Sequence, residues 1–118
     1  MREALATLDA TIDGTFVFDA ETLRFLYVNQ GAMAQTGYSR EELLAMTPVD
    51  VKPIFDEPQF RAMMAPLVSG QQQTCTFTTL HRRKNGVDVP VEINLQCIGA
   101  GTAQARFIAI VRDITERK

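Results

Sequence analysis

The second half of this chain constrains its fold most. Three long strand-like runs, Gln72–Arg83, Val87–Ile98 and Ala105–Thr115, follow one another with only short turns between them. Asn85-Gly86 marks the first turn, and its length decides which faces meet. A two-residue turn pairs Phe77 with Asn94 and Arg82 with Val89. A three-residue loop, with Gly86 left-handed in a bulge, pairs Cys75 with Leu95, Phe77 with Ile93 and Thr79 with Val91. Slipping by one residue swaps the faces of a strand. The second register keeps apolar groups together and is the one expected. Its inner face carries Phe77, Thr79, His81, Val89, Val91, Ile93 and Leu95, with Glu92, Asn94 and Gln96 facing out. The last run, Phe107-Ile108-Ala109-Ile110-Val111, is apolar on both faces, so a cover is expected on each.

The first half supplies the remaining elements. Residues 1–12 read as an amphipathic helix with Leu5, Leu8 and Ile12 on one side. Thr15–Asp19 and Leu23–Val28 read as a strand pair joined by the polar turn Asp19-Ala20-Glu21-Thr22. Asn29 can then cap a short helix, because its side-chain oxygen accepts an orphan backbone N–H. Gly37 stops that helix, since glycine enters the left-handed conformation without strain. Ser39 starts a second one, with Glu42 three residues on to complete a capping box. Pro48 and Pro53 break up the next stretch. Asp56–Val68 reads as a longer helix, with Pro58 in its first turn and an apolar stripe of Phe60, Met63, Met64, Leu67 and Val68. Pro66 removes one helical bond and is expected to kink or loosen the last turn. The expected class is α+β: a five-stranded antiparallel sheet with short helices and one longer helix on one face.

Size and charge narrow the function. At 118 residues the chain is one domain, and 46% apolar residues suffice for a core. Twelve basic and fourteen acidic side chains give a net charge of -2, which offers no electrostatic case for nucleic acid or an anionic membrane. The basic triplet Arg82-Arg83-Lys84 falls at the hairpin tip and reads as a solvated turn. The two cysteines, Cys75 and Cys97, lack metal-ligand spacing and read as small core residues of a reducing, cytoplasmic setting. No apolar run approaches the roughly 20 residues that span a bilayer, and no direct membrane contact is expected.

Three motifs together carry a family likeness: Val28-Asn29 with Gly37-Tyr38-Ser39 and Glu41-Glu42-Leu43; Arg83-Lys84-Asn85-Gly86 followed by Pro90-Val91-Glu92; and Asp113-Ile114-Thr115. In this order and spacing the chain resembles a PAS sensor domain with its C-terminal PAC portion, of the kind placed before histidine kinases or diguanylate cyclases in bacteria. The resemblance covers nearly the whole chain and implies a PAS-like domain over residues 13–115. It implies a pocket between the sheet's inner face and the Asp56–Val68 helix. The lining expected there is Phe16, Phe18, Phe60, Met63, Met64, Phe77, His81, Val91, Ile93, Phe107, Ala109 and Val111. It also implies that Asp113, Ile114 and Thr115 form the exit through which a signal leaves, with residues 116–118 beginning a signalling linker to a kinase or cyclase domain in cis. The N-terminal helix would pack on the outer face and, through Leu5, Leu8 and Ile12, at a homodimer interface.

The same likeness tests cofactors residue by residue. Flavin-adduct light sensors carry a reactive cysteine just after the Ser39–Ala45 helix, where this chain has Met46-Thr47-Pro48-Val49, so an adduct is not expected. Haem-binding relatives commonly place a histidine on the longer helix, and Asp56–Val68 has none. No tryptophan is available to stack on a non-covalent flavin. The resemblance thus disfavours haem and flavin, and the expectation is a small apolar or mixed ligand, or none. Phe60, Met63 and Met64 fit either core filling or an adaptable pocket wall, since methionine repacks around irregular shapes. His81 reads as a pocket-edge residue, or as a ligand donor or pH-responsive group. Asp113 reads as a strand-end cap, or as a latch to Arg112 or Arg83.

Catalysis is not expected. One histidine leaves no convincing nucleophile–base set. Glu41, Glu42, Asp56 and Glu57 belong to helix starts, and Gly99-Ala100-Gly101 lacks the helix a dinucleotide site needs. Two functions remain: a ligand-responsive sensor, or a ligand-independent dimerisation and relay module with a closed core.

Overall fold

The first strand, β1 (Gly14–Asp19), alternates strictly, with Gly14, Phe16 and Phe18 buried and their neighbours half-buried. In the computed structural model, which describes residues 13–115, it lies second from one edge of a five-stranded sheet, in the order β2 (Phe25–Val28), β1, β5 (Arg106–Asp113), β4 (Asp88–Ile98) and β3 (Thr74–Arg82). Each neighbouring pair is antiparallel. The expectations for residues 1–12, Leu5, Leu8 and Ile12 included, and for the linker at 116–118 lie outside the described residues.

The turn after β1 is held by the Asp19 carboxylate, which accepts from the backbone N–H of Glu21 (2.7 Å) and Thr22 (2.8 Å). Those bonds hold its pKa below the ordinary carboxylate value. Leu23 follows at φ 67°, a left-handed conformation that costs a branched residue energy, and its side chain is only 1% exposed. This left-handed residue delays β2, which spans Phe25–Val28 rather than starting at Leu23.

Asn29 does more than cap helix α1 (Gln30–Thr36). Its Oδ1 accepts from Ala32 N and also from Thr15 N, both at 2.9 Å, so one buried side chain ties the helix start to β1. Gly37 ends α1 at φ 80°, with its N–H on Met33 O. Helix α2 (Arg40–Leu44) opens with the Ser39–Glu42 capping box, both of its bonds present. A 3₁₀ turn (Pro48–Val51) follows, then α3 (Glu57–Val68), capped by Asp56 on Gln59 N. Pro66 sits inside α3 without ending it; the helix runs on to Val68. Of the expected stripe, Phe60, Met64 and Leu67 are buried, Met63 is half-buried, and Val68 is exposed.

The meander consists of β3 (Thr74–Arg82), β4 (Asp88–Ile98) and β5 (Arg106–Asp113). Its β3–β4 register is the bulged one: Cys75 opposite Leu95, Phe77 opposite Ile93, Thr79 opposite Val91 and His81 opposite Val89. Gly86 supplies the left-handed turn residue at φ 89°. On β5, Phe107, Ala109 and Val111 face the core, while Ile108 is half-buried and Ile110 is 37% exposed. β5 stops two residues earlier than expected because Asp113 Oδ1 accepts from Thr115 N (2.8 Å) and Oγ1 (2.6 Å), which turns the backbone away.

Aromatic rings join these layers. Phe18 of β1 stacks on Phe107 of β5 (centroids 5.2 Å apart, 21° between planes) and meets Phe60 of α3 at 6.0 Å. Phe16 meets Phe25 of β2 at 5.2 Å. Such pairs add about 0.5–1.5 kcal/mol each beyond simple burial.

Candidate functional site

Between the sheet's inner face and α3 lies a void of about 10 Å³, lined by Phe16, Phe18, Phe25, Pro48, Val51, Lys52, Phe60, Phe77, His81, Ile93, Leu95, Ala109 and Val111. That is close to the space of one water molecule. Eight of the expected lining residues border it: Phe16, Phe18, Phe60, Phe77, His81, Ile93, Ala109 and Val111. Four do not. Phe107 is spent stacking on Phe18, Met64 and Val91 are buried elsewhere in the core, and Met63 packs half-buried against it.

The residue that sequence reasoning missed is Lys52. The 3₁₀ turn is closed by Thr47 N–H on Asp50 Oδ2 (2.9 Å) and by Lys52 N–H on Val49 O (3.1 Å). It delivers Lys52 into the core, where the residue is only 7% exposed. Its Nζ lies 2.8 Å from His81 Nε2 and 5.3 Å from the centre of the Phe60 ring. His81 is itself 5% exposed and stands edge-on to Phe16 (6.5 Å, 83°). The signal in the sequence was slight: a lysine between Val51 and Pro53, at the end of an apolar turn.

Burial pulls the Lys52 ammonium down to about pKa 7 from 10.5. Burial, then the Lys52 charge, holds His81 well below its usual 6.5. Both shifts favour the neutral forms, as desolvation of a cation must. With Lys52 protonated, its N–H donates to the lone pair of neutral His81 Nε2, which places the imidazole proton on Nδ1. No carboxylate borders the void.

At the exit, Asp113 acts as the strand-end cap, the first of its two readings, by accepting from Thr115 N and Oγ1. Arg112 instead reaches Asp13 at 3.6 Å, and Arg83 donates to Ala34 O. Ile114 N–H bonds Pro90 O at 3.1 Å, tying the exit back to the start of β4. Cys75 and Cys97 are half-buried free thiols, and burial raises the pKa of Cys97. That is the opposite of what an activated thiolate needs. Among the described residues no group of three or more His, Cys, Asp or Glu side chains could hold a metal ion, and no helix is long and apolar enough to cross a membrane.

Comparison with known proteins agrees with this architecture. A family model described as PAS domain matches residues 12–116. The PAS domain of an HTR-like protein from Haloarcula marismortui is 26% identical, with a TM-score of 0.77, over 97% of this chain and 100% of that one. A domain of the sensory box sensor histidine kinase/response regulator from Geobacter sulfurreducens is 26% identical, with a TM-score of 0.77, over 95% of this chain and 92% of that one. The methyl sulfide methyltransferase-associated sensor of Methanosarcina acetivorans is 27% identical over 106 residues. That match takes in 90% of this chain and 10% of the relative, so the chain spans about a tenth of that protein's length.

Proposed function

This chain belongs to the PAS domain family, a family of signal-sensing modules, and we propose that it acts as a relay and homodimerisation domain with a closed core. On this reading it passes conformational change to an output domain in the same polypeptide. The observation that carries the reading is the packing of the interior. Phenylalanines from β1, β2, α3 and β3 fill the space under the sheet and leave about 10 Å³, far too little for a flavin or a haem. β5 runs from the centre of that packing to the Asp113–Thr115 cap. A shift in the core therefore has a direct route outward, through a strand buried on its inner face.

The exposed outer face of β5 supports the dimer. Ile108 and Ile110 present apolar surface there, and Leu5, Leu8 and Ile12 would cover it in company with a second copy. Sedimentation velocity across a concentration series tests this part. The wild-type chain is expected to run as a dimer, and a Leu5→Asp/Leu8→Asp variant is expected to shift toward monomer with unchanged far-UV circular dichroism. A wild-type monomer at every concentration refutes dimerisation. The sensor histidine kinase relative supports an output domain downstream. Asp113→Ala in a parent protein is expected to uncouple output from its stimulus, and unaltered regulation refutes the exit route.

A further inference from the structure

The two edges of the sheet are finished differently. At β2 the edge is four residues long and covered: Phe25 N–H bonds Met46 O at 3.1 Å, and Arg40 Nε donates to Val28 O at 3.2 Å. At β3 the edge is nine residues long and bare. In an antiparallel ladder, bonded and non-bonded pairs alternate. Arg83 N–H on Val87 O (2.9 Å) marks that pair as bonded, and the register then makes His81 with Val89, Thr79 with Val91, Phe77 with Ile93 and Cys75 with Leu95 bonded as well. Thr74, Thr76, Thr78, Leu80 and Arg82 therefore turn their N–H and C=O groups away from β4, and among the described residues none of these groups has a protein partner. Proteins ordinarily blunt such an edge with lysine, proline, a bulge or a covering segment. β3 contains no proline, no lysine and no break in register, and its one charge, Arg82, sits at its end and is paired with Asp88 at 2.8 Å.

We propose that the free edge of β3 is an interaction surface for β3 of a second copy, paired antiparallel about a two-fold axis at Thr78. Only the register centred there engages every outward residue of the strand. It sets Thr78 opposite the partner's Thr78, Thr76 opposite the partner's Leu80, and Thr74 opposite the partner's Arg82. The seam then gains about ten backbone hydrogen bonds, with threonines facing each other across it, a favourable cross-strand pair. Charge placement selects this occupant. Arg82, Arg83 and Lys84 lie at one end of β3. Antiparallel pairing sets the two basic tips at opposite ends, roughly 30 Å apart, whereas parallel pairing would stack them. An acidic extended segment would find Arg82 and Lys84 already held by Asp88 and Glu42. The helical layer adds to the seam. Phe55 lies edge-on to Phe77 of β3 (6.0 Å, 84°), and its neighbour Ile54 is 56% exposed, more than any other large apolar residue described. A two-fold axis normal to the sheet keeps both copies of this apolar segment on the same side of the joined sheet.

This contact uses a different surface from the outer face of β5 and does not rest on dimerisation there. A strand-to-strand seam buries little surface, so it is the weaker of the two and joins dimers only at high local concentration. Each contact is two-fold, and copies that use both link into assemblies larger than a dimer.

The test is disulfide trapping in the 118-residue chain with Cys75→Ser and Cys97→Ser in place. Directly opposite Cα atoms of a bonded antiparallel pair lie about 5.5 Å apart, within disulfide reach. Thr78→Cys is therefore expected to give a covalent dimer under mild oxidation with copper phenanthroline. Thr76→Cys lies four residues out of line with its own copy, about 13 Å along the strand. It is expected to give little dimer alone and to cross-link when mixed with Leu80→Cys. Thr78→Pro removes an N–H that β4 does not use, so it is expected to keep the far-UV circular dichroism and to abolish trapping between Thr76→Cys and Leu80→Cys. Leu5→Asp/Leu8→Asp should leave the trapping pattern intact while dissociating the face dimer, so failure of one contact is read apart from failure of the other. Equal cross-linking by Thr76→Cys and Thr78→Cys alone, or trapping that survives Thr78→Pro, overturns the proposal. No trapping at any of these positions overturns the second copy as occupant and leaves the edge to an extended segment of another protein.

Discussion

Replacing Lys52 by methionine changes how stability depends on pH, and the size of the change follows from the burial of the side chain. An unfolded lysine keeps its proton up to 10.5, whereas the buried one gives it up at about 7. Between those values the unfolded chain holds more protons than the folded one, so stability rises as pH rises. The penalty is fully present below about pH 7 and gone above about 10.5. Each pH unit inside the window contributes at most about 1.4 kcal/mol, and the whole window comes to about 5 kcal/mol. From pH 7.5 to 9.5 the wild type should therefore gain about 2–3 kcal/mol that Lys52→Met does not. With a urea m-value of about 1–3 kcal/mol/M for a domain of this size, that gain moves the midpoint by about 1 M or more. At pH 7.5 the variant should be at least as stable as wild type. It loses the bond to His81, worth about 1–3 kcal/mol when an acceptor is left unpaired, and it is relieved of the larger cost of stripping a lysine of its proton on folding. The chain has no tryptophan, so urea unfolding is best followed by far-UV circular dichroism. Parallel pH trends in the two proteins would refute the reasoning, because they would mean that Lys52 keeps its proton in the fold as easily as in water.

His81 is the acid counterpart. Its folded-state pKa is held well below 6.5, so wild-type stability should fall as pH drops through 6.5 and level off below the folded value. His81→Gln keeps an acceptor for Lys52 but does not titrate, and should flatten that arm in the same urea series. Asn29→Ala should cost about 2 kcal/mol or more, since Asn29 is 4% exposed and serves both α1 and β1. Ser39→Ala, at an exposed capping box, should cost about 1 kcal/mol. Equal losses from the two would contradict the double role of Asn29.

Local chemistry made most of the fold readable. Asn29, Gly37, Ser39 with Glu42, and Asp56 act through their own backbone neighbours, so their caps could be read from spacing alone. The β3–β4 register was legible because only one alignment puts Phe77, Val91 and Ile93 on the same face. The start of β2 was not legible, because Leu23 takes a left-handed conformation that nothing local to a leucine announces, and its burial compensates. Pro66 was expected to disturb α3. The helix still runs through it to Val68, with Phe60, Met64 and Leu67 buried on the face toward the core. The site was half legible. Residues that alternate along a strand declared their face, so Phe16, Phe18, Phe77, His81, Ile93, Ala109 and Val111 were placed in the interior. Lys52 did not, because a lysine in an irregular segment is ordinarily solvated. Only the tertiary path of the 3₁₀ turn brings it to His81, twenty-nine residues later in the chain.

The central claim is that aromatic side chains, not a prosthetic group, occupy the space between the sheet and α3. An absorption spectrum and a native mass spectrum of the freshly purified 118-residue chain test it most directly. The account predicts the mass of the polypeptide or its dimer, with no bound prosthetic group and no visible absorption. A stoichiometric haem or flavin would contradict it.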